Sequence, residues 1–143
     1  MRKLAFLFAV FLLIACNSSE KKQQEKQIEK KLNIYKQSEM AALMLLMYER
    51  NAENKKMILE GKQPKQFPKE FLKIHTAKLT DSTDRDASFK SYSEYYLSTL
   101  KIVFETSKDS LKEKHNSVIN SCITCHKTTC IGPIPKIKKL LIN

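Results

Sequence analysis

The stretch LNIYKQSEMAALMLLMYERNAENKKMILEG, residues 32–61, decides the fold class. Between Leu32 and Glu60 there is no Gly or Pro, and apolar side chains return every three or four positions. Leu32, Tyr35, Ala42 and Leu46 make one stripe; Met40, Leu43, Met44 and Met47 make its neighbour. At a rise of 1.5 Å per residue the span predicts a helix of about 40 Å. Gly61 is placed to end it, and Pro64 and Pro68 prevent its continuation.

Towards the carboxyl terminus the helical pattern returns three times. A second helix is expected from about Pro68, with Phe67, Phe71 and Ile74 on one face and Leu72, His75 and Leu79 on another. The run Asp81-Ser82-Thr83-Asp84-Arg85-Asp86 reads as a turn that supplies an N-cap. The third helix carries Phe89, Tyr92, Tyr96, Leu100 and Val103. After a weak break at residues 107–110 the fourth carries Leu111, His115, Ile119, Cys122 and His126, and Gly132-Pro133 stops it. Short connections between four helices predict an all-α, antiparallel four-helix bundle. Composition agrees: 143 residues suit one domain, and two glycines are too few for hairpins or phosphate-cradling loops. Neither G-x-G-x-x-G nor G-x-x-x-x-G-K occurs, so nucleotide-dependent chemistry is not indicated.

Towards the amino terminus the character changes. Met1-Arg2-Lys3 is basic, and Leu4 to Ala15 is an unbroken apolar run of 12 residues. A membrane span needs about 20 such residues, whereas a signal-peptide core needs fewer. The run ends Leu13-Ile14-Ala15-Cys16, which resembles the lipobox of a bacterial lipoprotein. That resemblance implies cleavage before Cys16, acylation of Cys16, and export to the periplasmic side of a bacterial membrane. The competing reading is a buried helix near the start of the fold. Residues 17–31 are almost wholly polar and read as a solvated tether. Three segments are therefore expected: 1–15 as signal peptide, 16–31 as lipidated cysteine and tether, and 32–143 as the folded domain. The formal net charge is +11, and loss of Arg2 and Lys3 with the signal peptide leaves about +9. Export puts the remaining cysteines in an oxidising compartment, away from nucleic acid.

Cys122-Ile123-Thr124-Cys125-His126 is the one strong chemical motif, C-x-x-C-H. On a helix, Cys122 and His126 stand four residues apart on one face, with Cys125 beside them. Two thiols so placed can add across the two vinyl groups of a haem as thioethers while the imidazole reaches the iron. Three other readings compete. A thioredoxin-type pair needs a strand-to-helix turn, and no strand pattern is visible. A zinc site needs a second paired cluster beyond Cys122, Cys125 and Cys130. A structural disulfide within those three cysteines needs nothing more.

A single C-x-x-C-H in the last helix of such a bundle resembles the cytochrome c-prime family, the class II c-type cytochromes. Tyr35-Lys36-Gln37-Ser38, followed by Met40, is similar to the first-helix pattern of that family. The resemblance covers residues 32–130. It implies one covalent haem c, with Cys122 and Cys125 as thioether positions and His126 as the fifth iron ligand. It places Lys36 near a haem propionate and Met40 on the distal side, where low-spin members carry a methionine ligand. It also implies pairing of two copies as a dimer in many members. Met44 and Met47 are read as packing, and His75 and His115 as rivals for the sixth position. His75 is expected as a core or surface histidine. His115 is expected to face solvent, with a propionate contact as the alternative. One departure stands out: Cys130 has no partner, and a buried free thiol is the expected reading, beside an intermolecular bridge or a redox-sensitive thiol. The tail from Ile131 to Leu140 is expected to fold back over the bundle or the haem edge.

Iron held by His126 and Met40 would have both axial positions filled, which suits outer-sphere electron transfer and not enzymatic turnover. The expectation is a lipid-anchored monohaem electron carrier whose basic balance attracts redox proteins with acidic faces. The alternative is a five-coordinate, c-prime-like protein binding NO or CO.

Overall fold

The computed structural model describes residues 37–143, and all regular secondary structure among them is helical. Expectations for the signal peptide, Cys16, the tether, Leu32, Tyr35 and Lys36 lie outside the described residues. Three long helices dominate: α1 (Glu39–Leu59), α2 (Ala87–Glu105) and α3 (Leu111–Thr129). A short α4 (Ile134–Lys138) lies in the tail, and 3₁₀ segments cover Lys69–His75, Ser82–Asp84 and Lys108–Ser110.

The helix ends have local causes. α1 starts at Glu39, later than Leu32, because Ser38 is its N-cap: extended at φ −69°, ψ 158°, it accepts from Ala41 N–H at 3.1 Å. At the other end Gly61 takes φ +69°, the only positive φ among the described residues. Gly61 N–H then reaches Ile58 O at 3.0 Å and Lys62 N–H reaches Met57 O at 2.8 Å, the two bonds of a Schellman cap. Asp86 caps α2, its carboxylate accepting from Phe89 N–H at 2.7 Å, as the turn before that helix predicted.

The second expected α-helix is absent. Residues 62–86 form a return pass whose regular part is the seven-residue 3₁₀ helix Lys69–His75. Phe67, Phe71 and Ile74 carry the spacing that suggested an α-helix, and Phe71 and Ile74 are indeed buried. A spacing of three also fits a 3₁₀ turn, in which i and i+3 eclipse. The carbonyls at its end are held by a side chain: the Arg85 guanidinium donates to Ile74 O at 3.3 Å, His75 O at 2.6 Å and Ala77 O. Arg85 also lies 5.1 Å from the centre of the Phe89 ring, which ties the pass to α2.

Hydrogen bonds fix the topology. The pass returns to the start of α1, where Lys78 O accepts from Met40 N–H at 3.0 Å and Thr80 bonds Ser38 at 3.0 Å. Asn51 meets Tyr96, and Gln63 beyond α1 meets Thr106 beyond α2, so α1 and α2 run in the same direction. Residues 106–110 are too few for anything but a reversal, so α3 runs back against α2. The chain therefore makes four alternating passes, three α-helical and one not.

The core follows from those passes. Met40, Leu43 and Met47 from α1 meet Phe71, Ile74, Phe89, Tyr96, Leu100, Val103, Leu111 and Val118. Each such side chain contributes about 1.5–3 kcal/mol when fully buried. Of the two stripes on α1 the second is the core; Ala42 of the first is exposed and Leu46 half-buried. A second cluster joins Ile119 and Ile123 of α3 to Ile137 and Leu140 of the tail, with Tyr48 and Ala52 of α1 against it.

Candidate functional site

The site is the last two turns of α3. Cys122 and Cys125 are half-buried free thiols, and Cys122 packs against both core clusters. Burial is the main cause that raises the pKa of Cys122, to about 12, with the neighbouring Cys125 adding to it. Burial raises Cys125 as well. Neither group is a thiolate at neutral pH, whereas a dithiol redox pair needs a lowered pKa.

His126 sits one residue on, and its orientation is set by the end of the helix. Its Nδ1 lies 2.8 Å from Cys130 O, while its own carbonyl accepts from Cys130 N–H at 3.2 Å. A carbonyl only accepts, so Nδ1 carries the hydrogen. In the neutral ring that leaves the lone pair on Nε2, the tip of the side chain. Such a bond from the other ring nitrogen is what fixes the tautomer of a metal-ligating imidazole. Two thiols and one imidazole nitrogen so placed are the donor set that a covalently attached haem would need. Among the described residues no three His, Cys, Asp or Glu side chains converge as a metal held by protein alone requires. Haem iron, held by its porphyrin, would not need such a group.

Met40 is 5% exposed at the start of α1, in the cluster against which Cys122 packs. α1 and α3 are antiparallel: Tyr48 and Ala52 pack with Ile119 and Ile123, and Lys55 reaches the tail beside His115. Met40 and His126 accordingly share one end of the bundle. Met47 is in the same cluster, with Met44 packed against it.

Two expectations for neighbouring residues change, those for His115 and Cys130, while His75 is a surface histidine. His115 does not face solvent; it is 1% exposed, and its Nε2–H donates to Leu140 O at 2.9 Å. Burial, the largest influence, holds its pKa below the usual histidine value, with Lys55 acting the same way. His75 is exposed, with Nδ1 3.4 Å from Ser93 Oγ. Cys130 is exposed and not buried, because it is the C-cap of α3, where the chain leaves the bundle surface at φ −146°. The tail does fold back, against α3 and α1. Lys55 Nζ donates to Lys139 O and Leu141 O, and Asn116 exchanges two bonds with Ile142.

Sequence reasoning missed a buried polar group beside the site. Asn51, 2% exposed, donates to Met47 O at 2.7 Å and to Tyr96 OH at 3.4 Å, and its Oδ1 has no partner. Burial raises the Tyr96 hydroxyl well above its ordinary pKa, with the nearby Cys122 contributing. The only signal was the position of Asn51 four residues beyond Met47, on the buried stripe. Comparison with known proteins returns no matching family model, no similar curated protein and no similar solved structure.

Proposed function

We propose that residues 32–143 are a monohaem c-type cytochrome of the c-prime kind that passes single electrons, anchored to a bacterial membrane through lipid on Cys16. One observation supports this above the rest: His126 Nδ1 is committed to Cys130 O while Nε2 is unengaged, directly after two unpaired thiols. Haem, when bound, supplies an iron that changes between Fe(II) and Fe(III).

The chain's own residues do the remainder. Cys122 and Cys125 would hold the porphyrin through thioethers, which keeps the cofactor from being lost outside the cell. The Cys130 carbonyl fixes the plane of the His126 ring and makes Nε2 a better donor. Met40 would offer a soft sulfur from the facing helix and so raise the reduction potential. Lys36, outside the described residues, would serve a propionate. With His126 and Met40 both holding the group, the protein would carry electrons without catalysing a reaction of its own.

The test is expression with a periplasmic haem-attachment system, followed by haem staining of the denatured protein. Covalent haem with a low-spin ferrous spectrum and a methionine-to-iron band in the ferric form supports the reading. A five-coordinate, high-spin spectrum transfers the site to NO or CO binding, and colourless protein removes both.

A further inference from the structure

The charge of the described residues is not evenly spread. Residues 37–113 hold 13 Lys and Arg against 12 Asp and Glu, close to neutral. Residues 114–143 hold five lysines and no Asp or Glu at all. This acid-free segment is one body in space, because the tail folds back along the helix that bears the two thiols. Ile137 and Leu140 pack on Ile119 and Ile123, and Ile134 packs against the same cluster as Cys122.

The lysines there are unneutralised. Lys114 pairs with Glu113, but among the described residues no carboxylate lies within 4.0 Å of Lys127, Lys136, Lys138 or Lys139. All four are exposed, with Lys136 poised over the Tyr48 ring at 4.4 Å. The second pass lies on the other side, against α1 and α2, with its own exposed lysines Lys65, Lys69 and Lys73. Next to His126 the surface also presents Ile131, 70% exposed, beside Lys127 and the small residues Thr128, Thr129 and Gly132. An apolar spot rimmed by one sign of charge is suited to brief, salt-sensitive encounters with a protein of opposite charge.

We infer that the face formed by the end of α3 and the tail, centred on Lys127, Lys138, Lys139 and Ile131, is where a carboxylate-rich redox protein docks. The inference rests on the electron-transfer reading and adds to it the place of docking. A protein partner fits better than acidic lipid, since the face contains the apolar Ile131 beside the ligand His126, where electron exchange needs close approach.

Two measurements test it. In the first, reduced holoprotein gives one electron to hexacyanoferrate(III), which becomes hexacyanoferrate(II), and the rate is followed as salt is raised. At low salt the triple variant Lys127→Glu/Lys138→Glu/Lys139→Glu reacts about tenfold more slowly, and wild type loses its advantage as salt screens the face. The control Lys65→Glu/Lys69→Glu/Lys73→Glu, with the same change in net charge, reacts within about twofold of wild type. Equal slowing of both triple variants overturns the inference. The second measurement does not depend on electron flow: hexacyanochromate(III), a redox-inert paramagnetic anion, broadens amide signals of the full chain where it binds. Broadening centred on residues 127–139 supports the face; broadening centred on residues 65–73 overturns it. If phosphatidylglycerol vesicles bind wild type but not the first triple variant while the two variants exchange electrons equally, the face belongs to the membrane instead. Colourless protein defeats the electron-transfer reading itself; coloured protein failing these comparisons defeats the docking face alone.

Discussion

His115 and His126 stand 11 residues apart on α3, about three turns, so they project from nearly the same face of one helix. Both bond a backbone carbonyl, but through opposite nitrogens. His115 commits its tip, Nε2, to Leu140 O; His126 commits its root, Nδ1, to Cys130 O. The first ring is sealed under the tail and acts as a clamp. The second keeps its outer nitrogen available beside two unpaired thiols. Which nitrogen is committed, and not which residue is present, separates a structural histidine from a candidate ligand.

The sharpest way to break this contrast is to remove each ring in turn. His126→Ala should abolish the low-spin absorption spectrum of the holoprotein while leaving the far-ultraviolet helical signal in place. His115→Ala should do the reverse, preserving the spectrum. An unchanged spectrum in the His126 variant would make the two histidines alike. Next in size, Met40→Leu should convert a six-coordinate ferrous spectrum into a five-coordinate one; Met47→Leu should leave it as it was.

The stability of the clamp comes third. His115→Ala removes a buried hydrogen bond and leaves a cavity, with an expected loss of about 2–4 kcal/mol in urea unfolding. The pH dependence has a definite sign. Because the folded-state pKa of His115 lies below the unfolded value, the unfolded chain binds more protons between the two. Its contribution is complete above the unfolded value of about 6.5 and is lost as pH falls towards the folded one. Unfolding midpoints measured from pH 7.5 to 5 should therefore drop in wild type and drop less in His115→Gln. The smallest effect lies outside the pair: Gly61→Ala, at φ +69°, should cost about 1 kcal/mol with no spectral change.

What could be read in advance was local. Gly61 ending α1, Asp86 starting α2, and the C-x-x-C-H spacing on a helix all depend on residues within four positions of one another. What could not be read depends on distant partners. His115 is buried because Leu140, 25 residues on, folds back onto it. The regular part of the second pass stops at His75, where Arg85, 10 residues further along the same pass, takes up the end carbonyls. Ser38 caps α1, a role that went unread because the apolar Leu32 and Tyr35 before it suggested an earlier start. The proposed ligand His126 was found by spacing; the tautomer that makes it suitable required the position of Cys130.

The Arg85 contacts have a dynamic consequence. A pass with little hydrogen-bond ladder of its own, gathered at its end by one guanidinium, is expected to open ahead of the rest. Amide protons of residues 69–77 should then exchange with solvent before those of the three long helices; equal protection would mean that the burial of Phe71 and Ile74 alone holds the pass in place.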